Sequence, residues 1–125
     1  MLVLASILGC GVEEEISIQP QPCGSLYMPI YENVYENTLK PTCGQAGVAC
    51  HAPEGAHGGF IISDIDSSYS LLIDGNWAKP KEPLESPIVH RMESADPERL
   101  MPPGQALSPA ELCAIETWIL QGALR

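Results

Sequence analysis

Apolar positions recur at helical spacing in several separate stretches. Tyr31, Tyr35 and Leu39 fall at i, i+4 and i+8, with Val34 beside them, the spacing that buries one face of a helix. Pro29 suits a first helical turn, so the pattern predicts a helix over residues 29–40. Pro41 is expected to stop it. Phe60-Ile61-Ile62 is an apolar run that reads as a short extended segment. A second helix is expected to begin around residues 64–67, with Asp66 or Ser67 as N-cap, Tyr69, Leu72 and Ile73 turned inward and Gly75 at its end. Ser86-Pro87 looks like the N-cap and first turn of a third helix running to about Met92, where Ile88 and Met92 lie one turn apart. The last helix is the best marked. Ser108-Pro109-Ala110-Glu111 is a capping box with proline at the first helical position. Leu112, Ile115 and Ile119 share one face, Trp118 stands next to it, and Gly122 is the natural C-cap.

The segments between these helices are long and rich in proline and glycine. Residues 52–59 and 94–104 have no periodicity. Loops of that length inside a compact domain usually carry function. The chain has 125 residues, enough for one domain with a modest core, and aromatic content is only 6%. A cofactor at the centre would supply bulk that the side chains do not. The division expected is a leader over residues 1–9, a flexible tether over 10–24 with the acidic run Glu13-Glu14-Glu15, and a folded domain over 25–125.

Net charge is −10, from 16 acidic and 6 basic residues. Nucleic-acid binding is excluded as an expectation, because phosphate neutralisation needs lysine and arginine. The charge favours solubility and steering toward a basic partner. No nucleophile motif, phosphate-binding loop or paired catalytic carboxylates stand out, so hydrolytic chemistry is not expected.

The most informative stretch is Thr42-Cys43-Gly44-Gln45-Ala46-Gly47-Val48-Ala49-Cys50-His51. Two thiols can each add to a vinyl group of a haem, and a histidine beside the second can reach the iron. The usual c-type attachment signature is Cys-x-x-Cys-His; here six residues separate the cysteines. Three outcomes stay open: both thiols hold haem, Cys50 alone does, or Cys43 and Cys50 form a disulfide beside a haem-free His51. A copper or zinc site from Cys43, Cys50, His51 and His57 is the metal alternative, although the spacing fits no standard zinc pattern. An iron that shuttles electrons needs a second axial ligand, and His/Met ligation raises its potential. Of four methionines, Met101 alone lies in a loop, stiffened by Pro102 and Pro103 and turned by Gly104. His57 and His90 are the other candidate ligands.

The order of these features resembles the class I cytochrome c domain in its single-haem, exported bacterial form. The resemblance runs through Cys…Cys-His, Gly58-Gly59-Phe60, a helix with Tyr69, Ser86-Pro87-Ile88-Val89-His90-Arg91, Met101-Pro102-Pro103-Gly104, Leu107-Ser108, Trp118-Ile119 and Gly122-Ala123. It covers about residues 30–124. It implies a small all-α fold of three to four short helices with long loops around one haem c. Cys43 and Cys50 would carry the thioethers, His51 would be the proximal ligand and Met101 the distal one. Arg91 would meet a haem propionate and Trp118 would pack near the ring. In that fold the two terminal helices pack together, which makes Cys23 and Cys113 a candidate disulfide.

The start of the chain resembles a bacterial lipoprotein leader. Ile7-Leu8-Gly9-Cys10 closes an apolar run with a small residue before cysteine, which implies lipidation at Cys10 and a location on the periplasmic side of a membrane. The apolar run is too short to span a bilayer, so a lipid anchor would be the only attachment. The expected function is a haem c electron carrier serving a redox partner protein, not an enzyme. The alternative is a haem-free, disulfide-stapled binding or scaffold domain with the same architecture.

Overall fold

The computed structural model describes residues 23–44, 51 and 59–125. Cys10, Cys50, His57 and the expected leader therefore lie outside the described residues. Four α-helices follow in order: α1 Tyr31–Val34, α2 Ile65–Asp74, α3 Pro87–Met92 and α4 Pro109–Leu120. A 3₁₀ turn, Pro83–Glu85, precedes α3. No strand occurs among the described residues, so the fold is all-α, with long connections as expected.

The first helix departs from expectation at its end. After α1 the chain does not stop before Pro41 but continues as a π-helical stretch, Tyr35–Cys43, with Pro41 inside it. Proline lacks an N–H and its ring strikes the carbonyl four residues back in an α-turn. A π-turn bonds five residues back and is wider, as in the bond from Gly44 N–H to the Leu39 carbonyl at 2.9 Å. The extension carries the chain to Cys43 without a break. The apolar stripe itself holds: Tyr31, Val34, Tyr35 and Leu39 are all buried.

Gly44 ends the π stretch where the backbone meets Ile62. A Cβ at Gly44 would stand 2.7 Å from Ile62 Cγ2, and Ile62 is fully buried. Replacing Gly44 with alanine is therefore expected to cost about 1–3 kcal/mol through overpacking, read as a lowered midpoint in thermal unfolding.

The second helix is capped one turn position earlier than the sequence indicated. Asp64, not Asp66 or Ser67, is the N-cap, and its carboxylate accepts the N–H groups of Asp66 and Ser67. Three residues of capping type, Asp64, Asp66 and Ser67, lie within four positions here, and the first is the N-cap. Gly75 is the C-cap as expected, but the left-handed conformation beyond it falls on Asn76, at φ 57°. In α4 the capping box forms: Ser108 Oγ accepts the Glu111 N–H at 3.2 Å. Gly122, at φ 113°, follows this helix, where a side chain would be strained.

The core lies between the first helix and α4, closed by α2 and α3. Tyr31 packs its ring 5.4 Å from that of Trp118. The hydroxyls of Tyr31 and Tyr69 donate to the carbonyls of Ile65 and Ala123, both at 2.9 Å, so the buried Tyr31 and the half-buried Tyr69 each keep the polar end satisfied. A disulfide joins Cys23 to Cys113, 90 residues apart in sequence with Cα atoms 5.8 Å apart. Next to it the Leu26 N–H bonds the Ala110 carbonyl at 3.0 Å. The segment before α1 is thus fixed to the start of α4.

Candidate functional site

Two adjoining cavities open beside the core, of about 190 and 690 Å³. They share Cys43, His51, Met101, Pro102 and Leu107 in their walls. The smaller is lined mainly by apolar side chains, among them Leu39, Phe60, Trp77, Ile88 and Met92. The larger adds Gln105, Ser108 and Glu111. Together they reach the size of ligand pockets, roughly 300–1,000 Å³.

Cys43 arrives at the cavity because the π stretch carries the chain past Pro41. The His51 N–H bonds the Cys43 carbonyl at 3.3 Å. This closes the neck of the six-residue spacer and puts Cys43 next to His51 despite the length between them. His51 is further held by its own carbonyl, which accepts the Ile62 N–H at 2.7 Å.

The imidazole is oriented by one bond. His51 Nδ1 lies 2.8 Å from the Phe60 carbonyl oxygen. A carbonyl only accepts, so Nδ1 carries the proton and donates, and Nε2 keeps its lone pair. A hydrogen bond of this kind fixes the tautomer of a metal-binding histidine and raises its basicity. The Phe60 ring meets the imidazole edge-on, with centroids 4.9 Å apart. Trp77 packs on Phe60 in turn, at 4.8 Å. This support was not legible from residue types, because a backbone acceptor carries no residue signature.

The other contributors come from α3 and the loop after it. The Ile88 N–H bonds the Trp77 carbonyl at 3.0 Å, which ties the start of α3 to the wall residue Trp77. Arg91 and Met92 in the last turn of α3 both line the smaller cavity. The Met101 N–H bonds the Arg91 carbonyl at 2.9 Å, so the loop bearing the methionine hangs from that turn. Arg91 makes no ion pair among the described residues. An unpaired cation facing a largely apolar pocket suits an apolar ligand with an anionic edge.

The remaining candidates fall elsewhere. Trp118 lines neither cavity; its ring is against Tyr31 and its Nε1–H donates to the Leu124 carbonyl at 2.9 Å. His90 is exposed, hydrogen-bonded to the Leu84 carbonyl, and in neither wall. Burial, with the Glu111 carboxylate adding to it, pushes the Cys43 thiol up to about 11. A zinc or copper site would use this thiol as its thiolate, a form that a bound metal itself favours. Cys50 and His57, which that metal reading also requires, are outside the described residues.

A small all-α fold with a histidine, a methionine and an arginine around an apolar pocket fits a cytochrome c-like domain. Comparison with known families points the same way: residues 48–105 match the family model described as Planctomycete cytochrome C. The matched stretch holds Cys50, His51, Arg91 and Met101 and begins after Cys43. No curated protein and no solved structure matches the chain.

Proposed function

We propose that this chain is an exported, lipid-anchored haem c protein of the class I type that carries electrons between partners and performs no bond chemistry of its own. The observation that supports it most is the state of His51. Its Nδ1 is committed to the Phe60 carbonyl, its Nε2 makes no hydrogen bond among the described residues, and the ring lines both cavities. A bound haem supplies one-electron chemistry at its iron.

The residues then divide the work. His51 would hold the iron of a bound haem through Nε2. Met101 would hold it through its thioether, on a loop stiffened by Pro102 and Pro103 and tied to the Arg91 carbonyl. Arg91 supplies the charge complementary to a propionate. Cys43 and Cys50 supply the thiols for covalent attachment, and the closed neck at His51 favours attachment through both. Leu39, Phe60, Ile88 and Leu107 make the wall apolar and would keep water from a bound group. The net charge of −10 favours a basic redox partner. The Cys10 lipoprotein-like leader favours the periplasmic side of a membrane, with the acidic segment after it as spacer.

Met101→Ala tests the ligand pair. The variant should keep covalently bound haem but lose the ferric charge-transfer band of methionine ligation, and its potential should fall. An unchanged spectrum and potential would assign the distal position to another residue.

A further inference from the structure

Glu111 is the last residue of the α4 capping box, and only one half of that reciprocal pair is made. Its N–H bonds Ser108 Oγ at 3.2 Å. The return bond of a capping box, from the N-cap N–H to the glutamate side chain, does not occur among the described residues. The carboxylate turns instead to the π stretch, where its Oε2 lies 3.5 Å from Thr38 Oγ1. A carboxylate only accepts, so Thr38 donates. With that proton committed, the Tyr27 hydroxyl donates in turn to Thr38 Oγ1, at 2.7 Å. Thr38 is fully buried. Tyr27 follows directly on Leu26, whose N–H is bonded to the Ala110 carbonyl. Three parts of the chain, the segment before α1, the π stretch and α4, thus meet in one line of polar groups.

That line ends in the wall of the site. Glu111 lines the larger cavity together with Cys43, His51 and Met101. Among the described residues of that wall it is the one aspartate, glutamate, lysine or arginine, as Arg91 is in the smaller cavity. Neither of the two enters an ion pair among the described residues. Each compartment therefore carries one fixed charge, and the two are of opposite sign. The reach of the carboxylate shows on its neighbours. Burial first, and then Glu111, raise the Cys43 thiol, and the same two causes raise the Tyr27 hydroxyl against the opposing bond from Thr38.

We propose that Glu111 is a fixed negative charge in the cavity wall that lowers the reduction potential of the group bound there, and that Thr38 is the residue that positions it. A negative charge favours the more positive, oxidised form of a bound redox group. At about 10 Å, screened between the limits of water and of a protein surface, one charge shifts the ratio of oxidised to reduced form by roughly two- to fifteenfold. Glu111 is half-buried, so salt screens it less than it screens an exposed carboxylate.

The inference rests on the haem reading above, and the experiment separates the two. The exported full chain is titrated against redox mediators near neutral pH. Glu111→Gln should shift the equilibrium toward the reduced form by roughly two- to fifteenfold at a given solution potential. Glu111→Asp keeps the charge and should stay within about twofold of the wild type. Glu85→Gln removes an exposed carboxylate that lines neither cavity, and should also leave the potential nearly unchanged. Thr38→Val frees the carboxylate and should move the potential in the direction of Glu111→Gln, by less. Should Glu111→Gln fail to fold, Glu111→Ala carries the same expectation. A haem-bearing chain whose potential is unmoved by Glu111→Gln, or is moved as far by Glu85→Gln, overturns the role of Glu111 and leaves the haem reading standing. A potential unmoved by Thr38→Val overturns the positioning role of Thr38. A chain that takes up no haem overturns both readings.

Discussion

His51→Ala is expected to abolish the low-spin haem spectrum. No second histidine among the described residues lines the pocket, since His90 is turned outward to the Leu84 carbonyl. The imidazole is also unusually well fixed. One nitrogen donates to the Phe60 carbonyl at 2.8 Å, the backbone bonds Cys43 on one side and Ile62 on the other, and Phe60 braces the ring. Losing the side-chain hydrogen bond should cost the fold only about 1 kcal/mol. The spectral change should therefore be near complete while unfolding shifts little. Electronic absorption and thermal unfolding of the same preparation separate the two effects. A low-spin spectrum retained in the variant would move the proximal ligand away from His51.

The second large effect is expected from the disulfide. Replacing both Cys23 and Cys113 with serine opens a link that spans 90 residues of sequence. In the chain-entropy treatment a loop of that size contributes about 4–5 kcal/mol, by restricting the unfolded chain. For a domain of this size that corresponds to a fall in Tm of about 15–30 °C. The link matters more here than in a larger domain, because a small core leaves little reserve. Thermal unfolding with and without a reductant gives the same comparison without mutation. A shift under about 5 °C would mean that the Leu26–Ala110 hydrogen bond and the Tyr31–Trp118 contact hold the ends together unaided.

What could be read from the sequence was whatever depends on local rules. The α4 capping box and the stripe of Tyr31, Tyr35 and Leu39 are set by residue type and spacing, and both occur. Pro41 misled for a definite reason. Its rule concerns α-turns, and the chain there uses a π-turn whose wider bonding pattern leaves no trace in composition. The N-cap of α2 was ambiguous because Asp64, Asp66 and Ser67 are all good capping residues.

The site divides in the same way. His51, Cys43, Arg91 and Met101 were singled out in the sequence by residue type and position, and all four line the cavities. Trp118 packs its ring with Tyr31 in the core. Phe60 and Trp77 were not legible as parts of the site, since one acts partly through a backbone carbonyl and both through contacts set by the fold. The six-residue spacer looked like a large departure from the attachment signature. The bond from the His51 N–H to the Cys43 carbonyl reduces that departure by bringing its two ends together.

The central claim is that the pocket holds a covalently attached haem. It is tested most directly by exporting the full chain in a bacterium equipped for cytochrome c maturation and recording the reduced spectrum before and after denaturation. The account predicts a red protein with a sharp α band, whose haem stays with the chain on a denaturing gel. A correctly exported but colourless protein, with Cys43 and Cys50 joined to each other, would contradict it.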